Sequence, residues 1–164
     1  VVFETPRLRV VPWRDDHAET AHAAYSQPDF VKFLGNPTPH PDLAYTQQWV
    51  RRAADRNGFW AAESKATGEL VGAALLQPLP GGDGEYEVGW HVFPAHQHQG
   101  YATEIGRSAV AHGFANGRNE VYAVVKPENI ASLAVARAIG MHSLGRTDRY
   151  YETTTELFVI RRNG

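Results

Sequence analysis

The chain has 164 residues, which suits one domain built on one core. Its 43% hydrophobic and 21% charged residues are ordinary for a globular protein, and a net charge of −2 gives no general pull towards nucleic acid or an anionic membrane. Cysteine is absent, which excludes disulfides, thiolate metal sites and a thiol nucleophile and fits a reducing, cytoplasmic setting.

Thr5–Trp13 alternates around Leu8, Val10 and Trp13 and predicts a strand. The preceding residues have no basic segment followed by an apolar one, so no signal peptide is expected, and no initiator Met is present. Asp15 or Asp16 can cap a helix running to about Ser26. Pro28 to Pro41 is rich in Pro and Gly and predicts a loop, with room for one helical turn at Asp29–Leu34. A second helix is expected from Asp42 to Asn57, with Leu43, Thr46, Trp49, Val50 and Ala53 on one side and Asn57-Gly58 as its stop.

Three strands follow, Phe59–Ser64, Leu70–Gln77 and Glu85–Phe93, divided by turns at Thr67-Gly68 and Pro80–Gly84. A helix from Gly100 to about Ala115 comes next. Then come a strand at Glu120–Val125, a helix at Asn129–Ile139 closed by Gly140, and strands at about Met141–Tyr150 and Glu156–Arg161. The order β-α-α-β-β-β-α-β-α-β-β predicts an α/β (α+β) chain with a mixed, mostly antiparallel central sheet, helices on both faces and one parallel pair in the middle. No apolar run approaches the ~20 residues a membrane helix needs.

The segment His96-Gln97-His98-Gln99-Gly100-Tyr101-Ala102-Thr103 joins a strand end to a helix start. First-turn N–H groups lack intrahelical acceptors, and the helix dipole favours negative charge there. Gly100 and Ala102 let a phosphate come close to the main chain, so the segment can bind an anion. The plainer alternative is a helix start with a turn glycine and nothing bound. Ala102, Ile105, Gly106, Ala109, Val110 and Gly113 form a stripe of mostly small residues that can sit tightly on a sheet. Neither a P-loop nor an early Gly-x-Gly-x-x-Gly is present.

Gln97-His98-Gln99-Gly100-Tyr101-Ala102 resembles the Gln/Arg-x-x-Gly-x-Gly/Ala pyrophosphate motif of the GNAT acetyltransferase superfamily. More narrowly, the chain is similar to the branch that acetylates the N-termini of ribosomal proteins. The residues are Thr5-Pro6-Arg7-Leu8-Arg9-Val10, Glu87-Val88-Gly89-Trp90, Gly100 to Glu104, and Asn129-Ile130-Ala131-Ser132 leading to Gly140-Met141.

The resemblance implies an N-acetyltransferase domain over residues 1–164, acetyl-CoA as co-substrate with no metal, a primary amine acceptor such as a protein N-terminus, and room for a homodimer. It implies that main-chain groups of His91, Val92 and Phe93 meet the pantetheine amides, with the Val92 N–H polarising the thioester carbonyl. It gives Gln97, His98, Gln99, Gly100, Tyr101, Ala102 and Thr103 to the pyrophosphate, and Asn129 to the pantetheine arm. Ser132 would stand beside the sulfur, since the tyrosine many relatives carry is replaced by Ala136; otherwise it stabilises a helix start.

The base stays open among Glu87, Glu85, Glu152 and water, with Glu87 favoured. The related branch has a glutamate where Tyr151 falls, one residue from Glu152. His91, His96 and His98 lack a metal motif and read as loop or phosphate contacts. The competing function is a CoA-binding sensor or scaffold without catalysis.

Overall fold

The computed structural model describes residues 1–163. An eight-stranded sheet is built from β1 (Phe3–Glu4), β2 (Leu8–Val11), β3 (Phe59–Ser64), β4 (Leu70–Pro78), β5 (Tyr86–Val92), β6 (Glu120–Val125), β7 (His142–Thr147) and β8 (Thr155–Arg161). Their order in space is β1-β2-β3-β4-β5-β6-β8-β7, and every pair is antiparallel except β5–β6. The helices are α1 (Ala18–Tyr25), α2 (Pro28–Val31), α3 (Leu43–Ala54), α4 (Tyr101–Ala115) and α5 (Ile130–Ile139).

The two faces of the sheet bury different helices. On one face Trp13, Ala21, Tyr25, Val50 and Ala53 from the α1–α3 side pack with Phe59, Ala61 and Ala73 of the strands. On the other, Ala109, Val110, Leu133 and Ala136 of α4 and α5 pack with Leu76, Val88, Val121 and Phe158. Strand alternation sends neighbouring residues to opposite faces, so each strand serves both cores. The small stripe on α4 behaves as expected. A Cβ on Gly106 would lie 2.2 Å from Ile139 Cδ1 and 3.1 Å from Trp90 Cε3, so this helix rests directly on the sheet.

Four boundaries differ from the sequence reading. The helix expected to run to Asn57-Gly58 ends at Ala54, with Asp55 as its cap. The strand expected over Thr5–Trp13 shortens to β2 at Leu8–Val11, and a separate strand β1 precedes it; the Thr5 hydroxyl accepts the Leu8 N–H at 2.9 Å in the turn between them. Neither Asp15 nor Asp16 caps the first helix. His17 Nδ1 accepts the Arg14 N–H instead, and residues 15–17 form a 3-10 turn before α1. The strand expected to reach Tyr150 stops at Thr147. The following loop folds back on the turn after β4, with Arg149 on Asp83 at 2.9 Å and the Tyr150 hydroxyl donating to Glu85 at 3.2 Å.

Gly72 sets the spacing between β4 and β5. A Cβ there would meet the His91 carbonyl oxygen at 2.0 Å, and a backbone atom cannot yield as a side-chain tip can. Gly72→Ala is expected to destabilise by about 3 kcal/mol, lowering the melting temperature by roughly 6–12 °C in a thermal unfolding scan.

Candidate active site

The parallel strands β5 and β6 touch at one register position, Glu87 with Tyr122, and then separate. Hydrogen-bonding direction alternates along a strand. The Phe93 N–H is donated to the Val71 carbonyl at 2.9 Å, so residues of that phase face β4. The main-chain groups of Trp90 and Val92 therefore point the other way, into the gap. This corrects the expected set. Phe93 is occupied by β4, His91 shares its phase, and Trp90, absent from the sequence-derived set, joins Val92 in facing the gap. Gln97 also has a structural task, since its side-chain amide donates to the Val92 carbonyl at 3.1 Å and leaves that residue's N–H free.

Beyond the gap lies the loop to α4. His98 and Gly100 both have positive φ, 63° and 83°, which turns successive amides towards one side. Among the described residues, no amide from His98 to Thr103 finds a protein acceptor; the first intrahelical bond is Glu104 N–H to Gly100 O at 3.2 Å. His98, Gly100, Tyr101, Ala102 and Thr103 line a cavity of about 350 Å³ with Val92 and Trp90. Bare amides at a helix N-terminus beside a cavity fit a diphosphate.

Arg7 holds this loop from the sheet edge. Its guanidinium bonds Glu104 Oε1 and the Gln99 carbonyl, each at 2.8 Å, and lies 4.2 Å from the centre of the Tyr101 ring. The Arg7 N–H and the Thr5 hydroxyl both bond Glu104 Oε2, at 2.8 and 2.5 Å. Burial alone would raise the Glu104 carboxyl, but these bonds outweigh it and hold it below its ordinary value. The clamp thus balances the one acidic group in the first turn of α4. Arg7 stood in the Thr-x-Arg-Leu motif, yet nothing in the sequence tied it to a loop more than 90 residues away.

A larger cavity of about 450 Å³ opens on the α1–α3 side and contains Glu87. Glu87 is 6% exposed, and burial pushes its carboxyl up to about 7, against the opposing hydrogen bond from Tyr151 and the charge of Arg56. The Tyr151 hydroxyl donates to both Glu87 oxygens, at 2.6 and 2.5 Å. His91 follows Glu87 on the same strand face, its Nδ1 3.0 Å from the Tyr25 hydroxyl; burial, then Arg56, lowers the imidazole to about 4.

The other two candidate carboxylates lie elsewhere. Glu85 accepts the Asp83 N–H and the Tyr150 hydroxyl in a turn, and Glu152 is exposed; neither lines the described cavities. Of the pair at 151–152, Tyr151 is the residue that faces Glu87.

The two cavities meet. Trp90, His91, Asn129 and Ser132 line both of them. Asn129 Oδ1 accepts the Ser132 N–H at 3.2 Å and caps α5, which fixes Ser132 at the junction while leaving the Asn129 amide nitrogen free. Among the described residues the Ser132 hydroxyl has no protein hydrogen bond, and no group of three or more His, Asp or Glu could hold a metal ion. His96 and His98 line the smaller cavity.

Comparison with known proteins agrees with this geometry. Residues 7–142 match the family model described as an acetyltransferase (GNAT) domain. The chain is similar to the uncharacterized N-acetyltransferase YoaA of Bacillus subtilis, at 26% identity over 91% of this chain and 87% of that one. It is also similar to the N-alpha-acetyltransferase RimI of Mycobacterium tuberculosis, at 31% identity over 80% and 79%. A GNAT-family acetyltransferase structure from Bacillus anthracis superposes with a TM-score of 0.84 at 22% identity, covering 96% of both chains. With a split strand pair, a bare-amide loop and a family match over most of its length, the chain belongs to the GNAT acetyltransferases.

Proposed function

We propose that this acetyl-CoA-dependent N-acetyltransferase is one domain over residues 1–164 and transfers acetyl to a primary amine by direct attack of that amine on the thioester. The observation that carries the reading is the joining of two cavities at the point where β5 leaves β6. One side offers bare amides for a diphosphate, and the other a buried carboxyl for an amine.

Acetyl-CoA supplies an activated acetyl group and a thiolate leaving group. The amides of His98 to Thr103 hold its diphosphate, and the Val92 N–H and Asn129 hold the pantetheine arm. The oxyanion role moves from Val92 to Trp90. Val92 lines only the smaller cavity and lies five residues from Glu87, about 16 Å along a strand, whereas Trp90 lies three residues away, about 10 Å, and lines both cavities. The Trp90 N–H therefore polarises the carbonyl where a base can still reach the attacking amine.

An alkylammonium loses its proton near ~10, so the acceptor needs a base. Glu87, with its carboxyl at about 7, takes that proton directly or through one water. Tyr151 steers the carboxylate, and the Ser132 hydroxyl donates a hydrogen bond to the sulfur as it departs as thiolate. Holding amine and thioester in line contributes much of the remaining acceleration.

The native enzyme is expected to gain rate as pH rises through 7 in a pH–rate profile, and Glu87→Gln to remove that rise and to lower kcat by about 100-fold at pH 8. The folded carboxyl titrates above its ordinary 4.5, so between those values the native state keeps a proton that the unfolded chain releases. Stability from this group is present at low pH and is lost as pH rises through 7. Glu87→Gln should thus melt no lower than the native protein at pH 8, a result that separates catalytic loss from misfolding.

Ser132→Ala is expected to reduce kcat by about 10- to 100-fold while leaving the thermal shift caused by acetyl-CoA intact. Unchanged thiol release would remove Ser132 from the mechanism. A thermal shift with no thiol release from any of a panel of amines would favour a non-catalytic CoA-binding protein. Arg7→Ala should raise KM for acetyl-CoA about tenfold in steady-state kinetics, the equivalent of one charge-assisted hydrogen bond, with a smaller effect on kcat.

A further inference from the structure

The charges around the larger cavity are unbalanced. Among its described lining residues the only carboxylate is Glu87, while Arg56 and Lys126 are both cationic. Neither cation has a carboxylate within ion-pair distance among the described residues. Lys126 has a structural use, since its ammonium donates to the carbonyls of Lys32 and Leu34 at 3.3 and 3.2 Å.

Arg56 is freer. It is exposed, sits 4.7 Å from the centre of the Phe59 ring, and spends one N–H on Gln77 Oε1 at 2.7 Å. Gln77 pairs across the sheet with Glu87, so Arg56 stands on the flank of the carboxyl that would receive the amine. A guanidinium has five N–H groups in a planar fork that suits a carboxylate or phosphate, and most of this fork is uncommitted.

The rest of the wall is uncharged and in large part aromatic or apolar. Phe33, Trp49, Phe59 and Leu75 surround the space, and Thr155 adds a buried hydroxyl without a partner among the described residues. His40 and His91 add no charge at neutral pH, because burial lowers both imidazoles to about 4.

A polyamine or polycationic sugar would bring two or more ammonium groups into a space with two positive side chains and one carboxyl, and that carboxyl already has to serve as the base. Like charges held together in a partly desolvated cavity repel strongly. We propose that the acceptor is a monoamine bearing an anionic group and an aromatic or branched apolar body, its amine directed to Glu87 and its anion to Arg56. This rests on the acetyl-transfer reading and narrows its substrate class.

The test is steady-state thiol release by the full chain with acetyl-CoA and four acceptors: L-phenylalanine, 3-amino-3-phenylpropanoate, phenethylamine and spermidine. The two amino acids place the carboxylate at different distances from the amine. At least one is expected to exceed phenethylamine in kcat/KM by tenfold or more, with spermidine slowest. Arg56→Gln should collapse that ratio towards unity by raising KM for the amino acid, and Arg56→Lys should keep part of it.

Preference for phenethylamine or spermidine, or a ratio that Arg56→Gln leaves intact, overturns the assignment while leaving acetyl transfer in place. Absence of turnover with every acceptor, alongside a thermal shift with acetyl-CoA, overturns both.

Discussion

The separation of β5 from β6 after a single paired position is the constraint on which the site depends. A parallel pair that stayed together would satisfy the main chain of Trp90 and Val92 and close the sheet. Because the strands part, polar groups that a sheet normally hides are presented to a ligand in fixed directions. Buried main-chain groups are seldom left without partners, so the gap is a place where binding supplies what the fold withholds. The α5 N-terminus stands beside it and brings Ser132 and Asn129 to the same opening.

The loop ahead of α4 needs outside support, since its amides are held open instead of being turned into intramolecular bonds. That support comes from the far edge of the sheet, where Thr5 and Arg7 grip Glu104 and the Gln99 carbonyl. The same contacts neutralise an acidic side chain that would otherwise oppose a diphosphate. The loop and the sheet edge are coupled here by a few charge-assisted hydrogen bonds, which are stronger than neutral ones and directional.

Glu87 shows the opposite economy. A carboxyl buried against aromatic walls is destabilising when ionised, and the fold tolerates it with one phenol donor from Tyr151. That phenol is delivered by a loop in which Tyr151 and Glu152 both have positive φ, at 56° and 54°. Backbone strain of this kind persists where surrounding contacts over-determine it. The Arg149–Asp83 and Tyr150–Glu85 contacts supply that restraint. Only the tertiary arrangement puts this loop over the carboxyl.

Periodicity and turn residues by themselves determined the order of the main elements, the Gly140 stop of α5 and the mixed sheet, because these signals are local. The bare-amide loop was legible for the same reason, being set by a helix start and a glycine. Family resemblance singled out Ser132 and Asn129. What only the tertiary structure decided is pairing across long separations. Which phase of β5 faces the gap depends on Phe93 bonding Val71, and that turns the main chain of His91 and Phe93 towards β4 and sets Trp90 beside Val92 at the opening. Tyr151 reaches Glu87 across 64 residues, and Arg7 reaches Gln99 across 92. No local pattern encodes such contacts; they exist only when packing of the whole chain brings the partners together.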